Sequence, residues 1–472
     1  MIFYLLHKQF RFILPAALVL AILCSGATAK AVDIQGVQPA AFDLPRMNGL
    51  LQPAGGGNPY NFQGDFNIQG FLDTGTSGIV INTVTSGGLN IPVAPGVKFQ
   101  DVAIGGTTDF DVSQPVNLRL AAWNDPAAGN LNNFQTVYNQ AFNGVRLQVG
   151  PTNVPVDPAG EPLDIYGMPT MLGKVVVMDP KPINDLSDFT MYTYLYEPNT
   201  PYNPNAALTN PGIPSTSHHV QLSYGDFSRF TQTTPDGSAG PNLAHNPMIG
   251  PDPTATAGAA VGDNSPPISV NFLGHHAEGT FLLDTGASAS FISSALAEQL
   301  HVRYVPGSEG SINPRLETFD PLNPGAAGTE IGNQFQFSVQ GIGGTGTVSG
   351  FFLDDMILHT LEGGLLDSDP NNIRFVGAPV AVLDVTVENP LDPLDTLTLD
   401  GIFGMNFMIA SAMVDLSEVS AGPFSWVTFD EPNGILGLDL IAVPEPSSLV
   451  TAGLGLVALV GYRWRRRRSG AV

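Results

Sequence analysis

Apolar and polar residues alternate along much of the chain in short runs bounded by glycine, proline or asparagine. The runs QFQFSV (residues 334–339) and AVLDVTV (residues 381–387) show this alternation, which is typical of a β-strand with one buried face. Helical periodicity is scarce, and SSALAEQL (residues 293–300) is the best candidate helix. With 53 glycines and 40 prolines among 472 residues, the composition also favours many short strands joined by turns. The pattern predicts a mostly β protein.

A long apolar run at the N-terminus predicts a transport signal. It covers residues 12–24, follows the basic residues Lys8 and Arg11, and precedes a small-residue cleavage site, so that residues 1–31 are typical of a secretory signal peptide. The only cysteine of the sequence, Cys24, lies inside this signal. We therefore expect a mature protein without a disulfide and without cysteine-based chemistry or metal binding.

A second apolar run, residues 449–462, lies near the C-terminus and is followed by five arginines. Arginines beyond an apolar run are typical of a membrane anchor that keeps them on the cytoplasmic side, although a spanning helix usually needs about 20 residues. With Val443, Pro444, Glu445 and Pro446 in front, residues 442–472 resemble the PEP-CTERM sorting tail of Gram-negative bacteria. The resemblance implies that an exosortase-type membrane enzyme removes the tail and passes the protein to the cell surface or an extracellular polysaccharide matrix. A permanent anchor would instead leave it tethered in the periplasm.

The segment between the two signals is strongly acidic. Of the 18 basic residues, 10 lie between residues 32 and 444, and of the 42 acidic residues, 41 lie there, which gives a net charge of −31. Such a surface repels nucleic acid and anionic membranes. We therefore expect no nucleic-acid partner and interpret the charge as a means of solubility outside the cell.

The acidic segment contains an internal repeat. The phrases FLDTG (residues 71–75) and FLLDTG (residues 281–286) are each followed by an Ile-Gly-Gly segment and then by an apolar-aromatic-Gly-Met segment, IYGM at 165–168 and IFGM at 402–405. A repeat of this length predicts two related structural units. The boundaries that follow are an N-terminal linker at 32–49, lobes at 50–230 and 267–441, and a Pro/Gly/Ala-rich linker or loop at 231–266.

Two Asp-Thr-Gly motifs, each after an apolar strand, resemble those of the aspartic proteases. The resemblance implies a bilobal fold of two β-barrel-like lobes with a cleft between them, one aspartate from each lobe, and a single chain as the catalytic unit. It implies the following candidate residues: the catalytic pair Asp73 and Asp284; the supporting loop residues Thr74, Gly75, Ser77, Thr285, Gly286 and Ser288; and the flap residues Ile104, Gly105, Gly106, Ile342, Gly343 and Gly344.

The chemistry of peptide hydrolysis explains why the phrase occurs twice. A water molecule must lose a proton while the scissile amide gains one. Two carboxylates about 3 Å apart share one proton, so that one acts as base and the other as acid. The sequence thus predicts a secreted aspartic endopeptidase that acts on polypeptides and needs no metal or cofactor. The alternative is a non-catalytic surface or matrix protein that uses the same cleft for binding.

Competing sites have weaker support in the sequence. The pairs His218-His219 and His275-His276 are interpreted as solvent-facing loop residues, because neighbouring side chains on a strand would point to opposite faces and could not chelate one metal ion. The segment DSDPNN (residues 367–372) begins like a calcium loop but lacks the glycine and the final acidic residue of that motif. It is interpreted as a surface turn.

Overall fold

The computed structural model describes residues 32–61, 67–103, 106–123, 137–150, 164–180, 191–205, 210–227, 240–255, 265–341, 344–389, 396–410, 412–415, 418–420 and 422–441. Strands dominate this part of the chain, which confirms the prediction of a mostly β protein. The helices are short: α1 (Thr83–Leu89), α2 (Ser294–Gln299), α3 (Met405–Ile409), and the 3-10 turns Met168–Thr170 and Glu431–Asn433.

The strands of the N-terminal half are β1 (Val32–Gln35), β2 (Arg46–Pro53), β3 (Ile68–Leu72), β4 (Ile79–Asn82), β5 (Val93–Ala103), β6 (Gly106–Ser113), β7 (Val116–Ala122), β8 (Gln140–Val145), β9 (Gln148–Gly150), β10 (Asp164–Tyr166), β11 (Val175–Asp179), β12 (Tyr192–Tyr196), β13 (His218–Gln221), β14 (Ser223–Gly225) and β15 (Asn246–Ile249). Those of the C-terminal half are β16 (Ile268–Phe272), β17 (His275–Gly279), β18 (Phe281–Asp284), β19 (Phe291–Ile292), β20 (Val302–Tyr304), β21 (Leu316–Thr318), β22 (Thr329–Glu330), β23 (Phe335–Gly341), β24 (Gly344–Phe352), β25 (Asp355–Leu358), β26 (Ile373–Val376), β27 (Pro379–Val382), β28 (Thr386–Glu388), β29 (Thr396–Thr398), β30 (Gly401–Gly404), β31 (Ala412–Asp415), β32 (Glu418–Ser420), β33 (Phe424–Asp430) and β34 (Ile435–Leu440).

Two large sheets share one strand order, the first formed by the N-terminal half and the second by the C-terminal half together with β14 and β15. The first reads β5-β6-β9-β4-β10-β3-β2-β7-β8, and the second reads β23-β24-β27-β19-β30-β18-β15-β14 from the corresponding edge. Over these eight shared positions, each neighbouring pair has the same relative direction in both sheets. The sequence repeat is therefore a structural repeat, in which β3 corresponds to β18 and β10 to β30.

The strands that carry the repeated phrase lie inside their sheets. β3 is hydrogen-bonded to β2 and β10, and β18 to β15 and β30. Phe71, Leu72, Phe281 and Leu283 are at most 1% exposed. Strands covered on both faces have continuous apolar runs rather than alternation, which is why the sequence there reads FL and FLL before the aspartate.

Each large sheet continues from its repeated phrase into a capped helix. Asn82 at the end of β4 accepts the amide of Thr85 at 2.8 Å and caps α1, and Ser293 after β19 accepts the amide of Leu296 at 3.1 Å and caps α2. A side-chain oxygen at this position pairs one of the amides that a helix start leaves free. The predicted helix at 293–300 is confirmed by α2.

A third sheet joins the halves. Its order is β12-β11-β33-β34-β13, and the antiparallel pair β11–β33 connects a hairpin of the N-terminal half to a hairpin of the C-terminal half. In a fourth sheet, β1-β26-β25-β16-β17, the first described strand pairs in parallel with β26, and Arg374 Nε lies 2.9 Å from Asp33 Oδ1. Smaller sheets are β20-β21-β22, β28–β29 and β31–β32.

Several local expectations need correction. The run AVLDVTV forms parts of two strands, β27 and β28, rather than one. The range 231–266 is not loop throughout, because it contains β15, which pairs with β18. The histidine pairs lie on strands β13 and β17 rather than in loops. Each described sheet is open and none closes into a barrel, so the expected barrel-like shape is not what these sheets form.

Among the described residues, no helix has the length and apolar character needed to cross a membrane. The apolar run at 449–462 lies outside the described residues.

Candidate active site

The two Asp-Thr-Gly loops meet at the contact between the two large sheets. Asp73 follows the last residue of β3, and Asp284 is the last residue of β18. The adjacent strands hold both loops in the same way: β10 lies parallel to β3 and β30 lies parallel to β18, one on each side of the contact. Asp73 is 7% exposed and Asp284 is half-buried, so that both carboxyls lie at rigid strand ends with little water around them.

The threonines of the two loops exchange hydrogen bonds. The Thr74 amide donates to Thr285 Oγ1 at 3.1 Å, and the Thr285 amide donates to Thr74 Oγ1 at 3.0 Å. Each hydroxyl then donates to a carbonyl of the opposite strand, Thr74 to Leu283 at 2.5 Å and Thr285 to Leu72 at 2.7 Å. Four buried hydrogen bonds with two-fold symmetry thus lock the loops together.

The glycines make room for the carboxyls. A Cβ atom placed on Gly75 would lie 2.5 Å from the carboxyl carbon of Asp284, and one on Gly286 would lie 2.4 Å from that of Asp73. Each glycine amide also donates to the aspartate of its own loop, at 2.8 Å in both cases. Because every other residue has a Cβ atom, only glycine allows each carboxyl to pack against the opposite loop and brings the two carboxyls together.

The two carboxyls form a coupled acid pair. Burial raises the pKa of Asp284 well above its usual range, and the neighbouring Asp73 charge raises it further. Burial also raises the pKa of Asp73, but hydrogen bonds from Thr76, from Asp284 and from the Gly75 amide oppose that increase. Burial and the neighbouring charge thus favour the protonated form of Asp284, whereas the hydrogen bonds to Asp73 favour its ionised form.

A single position breaks the symmetry of the pair. The Thr76 hydroxyl donates to Asp73 Oδ2 at 2.6 Å. The corresponding residue of the other loop is Ala287, which has no hydroxyl and gives Asp284 Oδ1 only its backbone amide at 2.9 Å. The additional hydrogen bond stabilises the charged form of Asp73 and so lowers the pKa of Asp73 relative to that of Asp284.

The two predicted serines have different surroundings. Ser77 Oγ donates to Asn246 Oδ1 at 2.6 Å, and Asn246 Nδ2 donates to the Thr74 carbonyl at 2.8 Å, so that Ser77 does brace its loop. Ser288 is exposed, and its carbonyl accepts the Ala41 amide at 2.6 Å. In the second loop the buried hydroxyl is that of Ser290, which accepts the Gly404 amide at 2.8 Å and donates to Asn406 Oδ1 at 2.7 Å.

The apolar-aromatic-Gly segments hold the loops from behind. A Cβ atom on Gly167 would lie 1.9 Å from the Gly78 carbonyl oxygen, and one on Gly404 would lie 2.4 Å from that of Ala289. The residues that follow these glycines, Met168 and Met405, donate their amides to the loop carbonyls of Thr76 and Ala287 at 2.9 and 2.8 Å. Both glycines are thus required by close backbone contact.

Sequence reasoning missed four residues of this site: Thr76, Asn246, Ser290 and Asn406. Thr76 directly follows the first phrase and Ser290 lies four residues after the second. The repeat does not single them out, because the two copies differ at these positions. Asn406 directly follows IFGM, and its place in the second repeat was a usable signal. No signal in the sequence indicated Asn246, because it lies in a Pro/Gly-rich stretch 169 residues from Ser77.

The flap residues are only partly described. The hairpins β5–β6 and β23–β24 occupy corresponding edges of the two large sheets, with Ala103 paired to Gly106 and Gly341 paired to Gly344. Gly106 and Gly344 are therefore the first residues of returning strands. The other candidates lie outside the described residues: Ile104, Gly105, Ile342 and Gly343.

The described residues contain no group of three or more His, Cys, Asp or Glu side chains arranged to hold a metal ion. His219 Nδ1 instead lies 2.5 Å from Glu362 Oε1, and the His275 ring packs on that of His301 with centroids 3.7 Å apart.

A comparison with protein families matches residues 442–468 to the PEP-CTERM protein-sorting motif. The match includes the predicted motif residues Val443, Pro444, Glu445 and Pro446, which lie outside the described residues. The motif indicates export with cell-surface or extracellular targeting, and it implies processing by an exosortase-type enzyme. A comparison with curated proteins found no match to the chain.

Proposed function

We propose that this protein is an exported aspartic endopeptidase with Asp73 and Asp284 as its catalytic pair. One observation carries the proposal: each aspartate packs against the glycine of the opposite loop, while the threonines between them exchange hydrogen bonds. A strand-end turn that served only the fold would need neither the reciprocal glycines nor a second carboxyl. Two sheets with one strand order, each contributing one aspartate, are also what a bilobal aspartic-protease fold requires.

The two carboxyls would divide the work of hydrolysis. A water molecule between them loses a proton to Asp73, which is ionised, and attacks the scissile carbonyl carbon. Asp284 gives its proton to the carbonyl oxygen as the tetrahedral intermediate forms. When the C–N bond breaks, Asp73 gives its proton to the leaving amine, while a hydroxyl of the tetrahedral intermediate returns a proton to Asp284 and becomes the carbonyl of the product acid, so that the pair is again singly protonated. The residues around the pair hold both carboxyls in place and limit access of further water.

The pKa directions define where such an enzyme would work. Activity requires one ionised and one protonated carboxyl, so the rate falls at low pH when Asp73 is protonated and at high pH when Asp284 loses its proton. Since burial raises both pKa values, the active range lies above the usual range of an aspartate. We expect activity from mildly acidic pH upward rather than only in strong acid.

The sorting tail supplies the location. A protein exported to the surface or beyond meets polypeptides outside the cell, and its pair would act on those. The net charge of −31 between residues 32 and 444 favours substrates with basic or neutral side chains over acidic ones.

The direct test uses the two single variants Asp73→Asn and Asp284→Asn, together with Asp111→Asn as a matched control on strand β6. The purified proteins are incubated with a denatured, unlabelled polypeptide from acid to neutral pH, and fragments are identified by mass spectrometry. The proposal requires that both variants of the pair lose cleavage while the control keeps it, with all three folded by circular dichroism.

A negative result would favour the second function, binding without catalysis. If the parent protein cleaves nothing but binds a statine-containing peptide, and either variant of the pair weakens that binding, the cleft recognises peptides without cutting them. If either variant retains full cleavage, the catalytic assignment is wrong.

A further inference from the structure

The loop between β25 and β26, residues 359–372, exposes three leucines. Leu361, Leu365 and Leu366 are 58%, 78% and 72% exposed. The other large apolar side chains that are exposed in the described residues stand singly along the chain. A single exposed leucine is ordinary, whereas a group on one short loop marks an interaction surface. We call this segment the leucine loop.

The exposure of the leucines is fixed by the interior of the loop. Asn372, which is fully buried, accepts the Thr360 amide at 3.0 Å and donates to the carbonyls of Gly364 at 2.8 Å and Leu366 at 3.0 Å. His359, 4% exposed, lies with Nδ1 3.0 Å from the same Gly364 carbonyl. The backbone is therefore held in one shape that points polar groups inward and leaves the leucines outside.

The acidic residues of the leucine loop are hydrogen-bonded to the protein. Glu362 pairs with the amide and ring of His219 at 2.8 and 2.5 Å. Asp367 accepts from Ser269 Oγ at 2.8 Å, and Asp369 accepts the Asn371 amide at 3.0 Å. These hydrogen bonds orient the three carboxylates toward protein donors, while their charge remains.

The leucine loop lies beside the point where the chain enters its sorting tail. The Leu361 amide donates to the His219 carbonyl at 2.8 Å, and His219 pairs with Gly437 of β34, so the Leu361 backbone is about 10 Å from β34, two strand spacings away. The described chain ends at Ile441, four residues after Gly437. The Ile441 side chain is 39% exposed. The seven residues 442–448 then reach at most about 25 Å before the apolar run at 449–462 begins.

We propose that the leucine loop rests on a lipid bilayer while the uncleaved tail holds the chain at the membrane. Three leucines bind a bilayer weakly on their own, but a second signal on the same chain makes such a contact effective, because the tether keeps the loop at high local concentration. The acidic body repels anionic lipids, so the contact is made with a zwitterionic surface. Removal of the tail then frees the protein, since the loop alone is too weak.

The test places a probe on the loop. The one cysteine of the sequence, Cys24, lies in the predicted signal peptide, so that after removal of the signal Leu365→Cys gives a single labelling site for an environment-sensitive fluorophore. The protein is exported in a host that leaves the tail intact, purified and inserted into phosphatidylcholine vesicles with or without nitroxide-labelled lipid. Leu322→Cys, at a site 94% exposed in the same half, is the matched control.

The proposal predicts a blue shift of the Leu365 probe and its quenching by the lipid nitroxide, with the Leu322 probe unshifted and unquenched. Adding Leu361→Ser and Leu366→Ser should remove the quenching while circular dichroism stays unchanged. Equal signals from the two probes overturn the proposal. A blue shift without lipid quenching also overturns it, because the loop is then covered by protein, either a second copy or the chain's own tail.

Discussion

Asp73 and Asp284 share a three-residue motif but not the same surroundings. Both lie at strand ends, Asp73 buried and Asp284 half-buried, and both pack against the glycine of the opposite loop. The difference is the hydroxyl of Thr76, which only Asp73 receives, because Ala287 occupies the corresponding position. At the scale of single residues, this one oxygen lowers the pKa of Asp73 and has no counterpart at Asp284.

Removing the hydroxyl at Thr76, or adding one at Ala287, should move the acid and the alkaline limit of the pH–rate profile separately. Thr76→Val removes a hydrogen bond to ionised Asp73, which raises the pKa of Asp73 and moves the acid limit of activity upward by about one pH unit. Ala287→Thr adds a hydroxyl near Asp284, which lowers its pKa and moves the alkaline limit downward. The measurement is the rate of peptide cleavage against pH. Identical profiles for all three proteins would contradict the division of roles.

The raised pKa values also predict a pH-dependent stability. A carboxyl whose pKa is higher in the folded than in the unfolded state contributes stability that is complete below the unfolded pKa and is lost as pH rises through the folded pKa. Asp284→Asn replaces this carboxyl with a group that stays neutral. The variant should therefore gain in Tm over the parent protein as pH rises from about 4 to about 7.

Thermal unfolding of both proteins over that range measures the difference. Asp164, whose pKa burial raises to about 7, titrates in both proteins and cancels in the comparison. A Tm difference that stays constant with pH would show that Asp284 has no raised pKa.

Residues that recur in the sequence could be predicted, and residues that do not recur could not. Asp73, Thr74, Gly75 and their counterparts were found because two copies of one phrase make a chance turn improbable, and the structure brings all six together. Asn246 supports the first loop from a segment with no local pattern. Its position depends on the pairing of β15 with β18, a long-range contact that the local sequence does not encode.

At the scale of elements, the contact between the two loops depends on two hydroxyls. Thr74→Val keeps the size of the side chain but leaves the Thr285 amide and the Leu283 carbonyl buried without partners. We expect a loss of about 2–6 kcal/mol in the free energy of unfolding, since each of the two unpaired groups costs about 1–3 kcal/mol. Thr74→Ser, which keeps the hydroxyl, should lose about 1 kcal/mol at most.

Urea unfolding of both variants gives the comparison, and Thr83→Val, at an exposed position at the start of α1, gives the baseline for a surface threonine. If Thr74→Val and Thr83→Val were equally stable, the hydroxyl exchange would contribute nothing to the contact between the loops.

The sequence predicted the type of element correctly where burial was uniform along a run. The prediction failed where burial changed within a run. The helix α2 carries its cap, Ser293, in the sequence. The run at 381–387 looked like one strand because its alternation is unbroken, but β27 ends at Val382 inside the second sheet and β28 begins at Thr386 in a separate hairpin. Periodicity reports which face is buried, not which sheet buries it.

At the scale of the whole molecule, the two halves are joined both at the loops and through a shared sheet. The pair β11–β33 continues one sheet across both halves, and β1 of the N-terminal segment pairs with β26 of the C-terminal half. The internal repeat predicted two units but not these crossings, since neither strand belongs to the repeated phrases. The candidate pair therefore lies between halves that cannot separate without breaking a sheet, which favours a fixed geometry of the two carboxyls.

The C-terminal tail, finally, predicts two forms of the protein with different ends. The match to the sorting motif covers residues 442–468, and the apolar run within it, 449–462, is shorter than the about 20 residues of a stable membrane span. A short span is poorly suited to permanent anchoring, which favours removal of the tail by a processing enzyme. In its native host, the mature protein should end near Pro446, as determined by mass spectrometry of the intact protein. In a host that lacks the processing enzyme, the same chain should keep Arg465 to Arg468 and remain in the membrane fraction. A chain that keeps those arginines in the native host at steady state would mean that the tail is an anchor rather than a sorting signal.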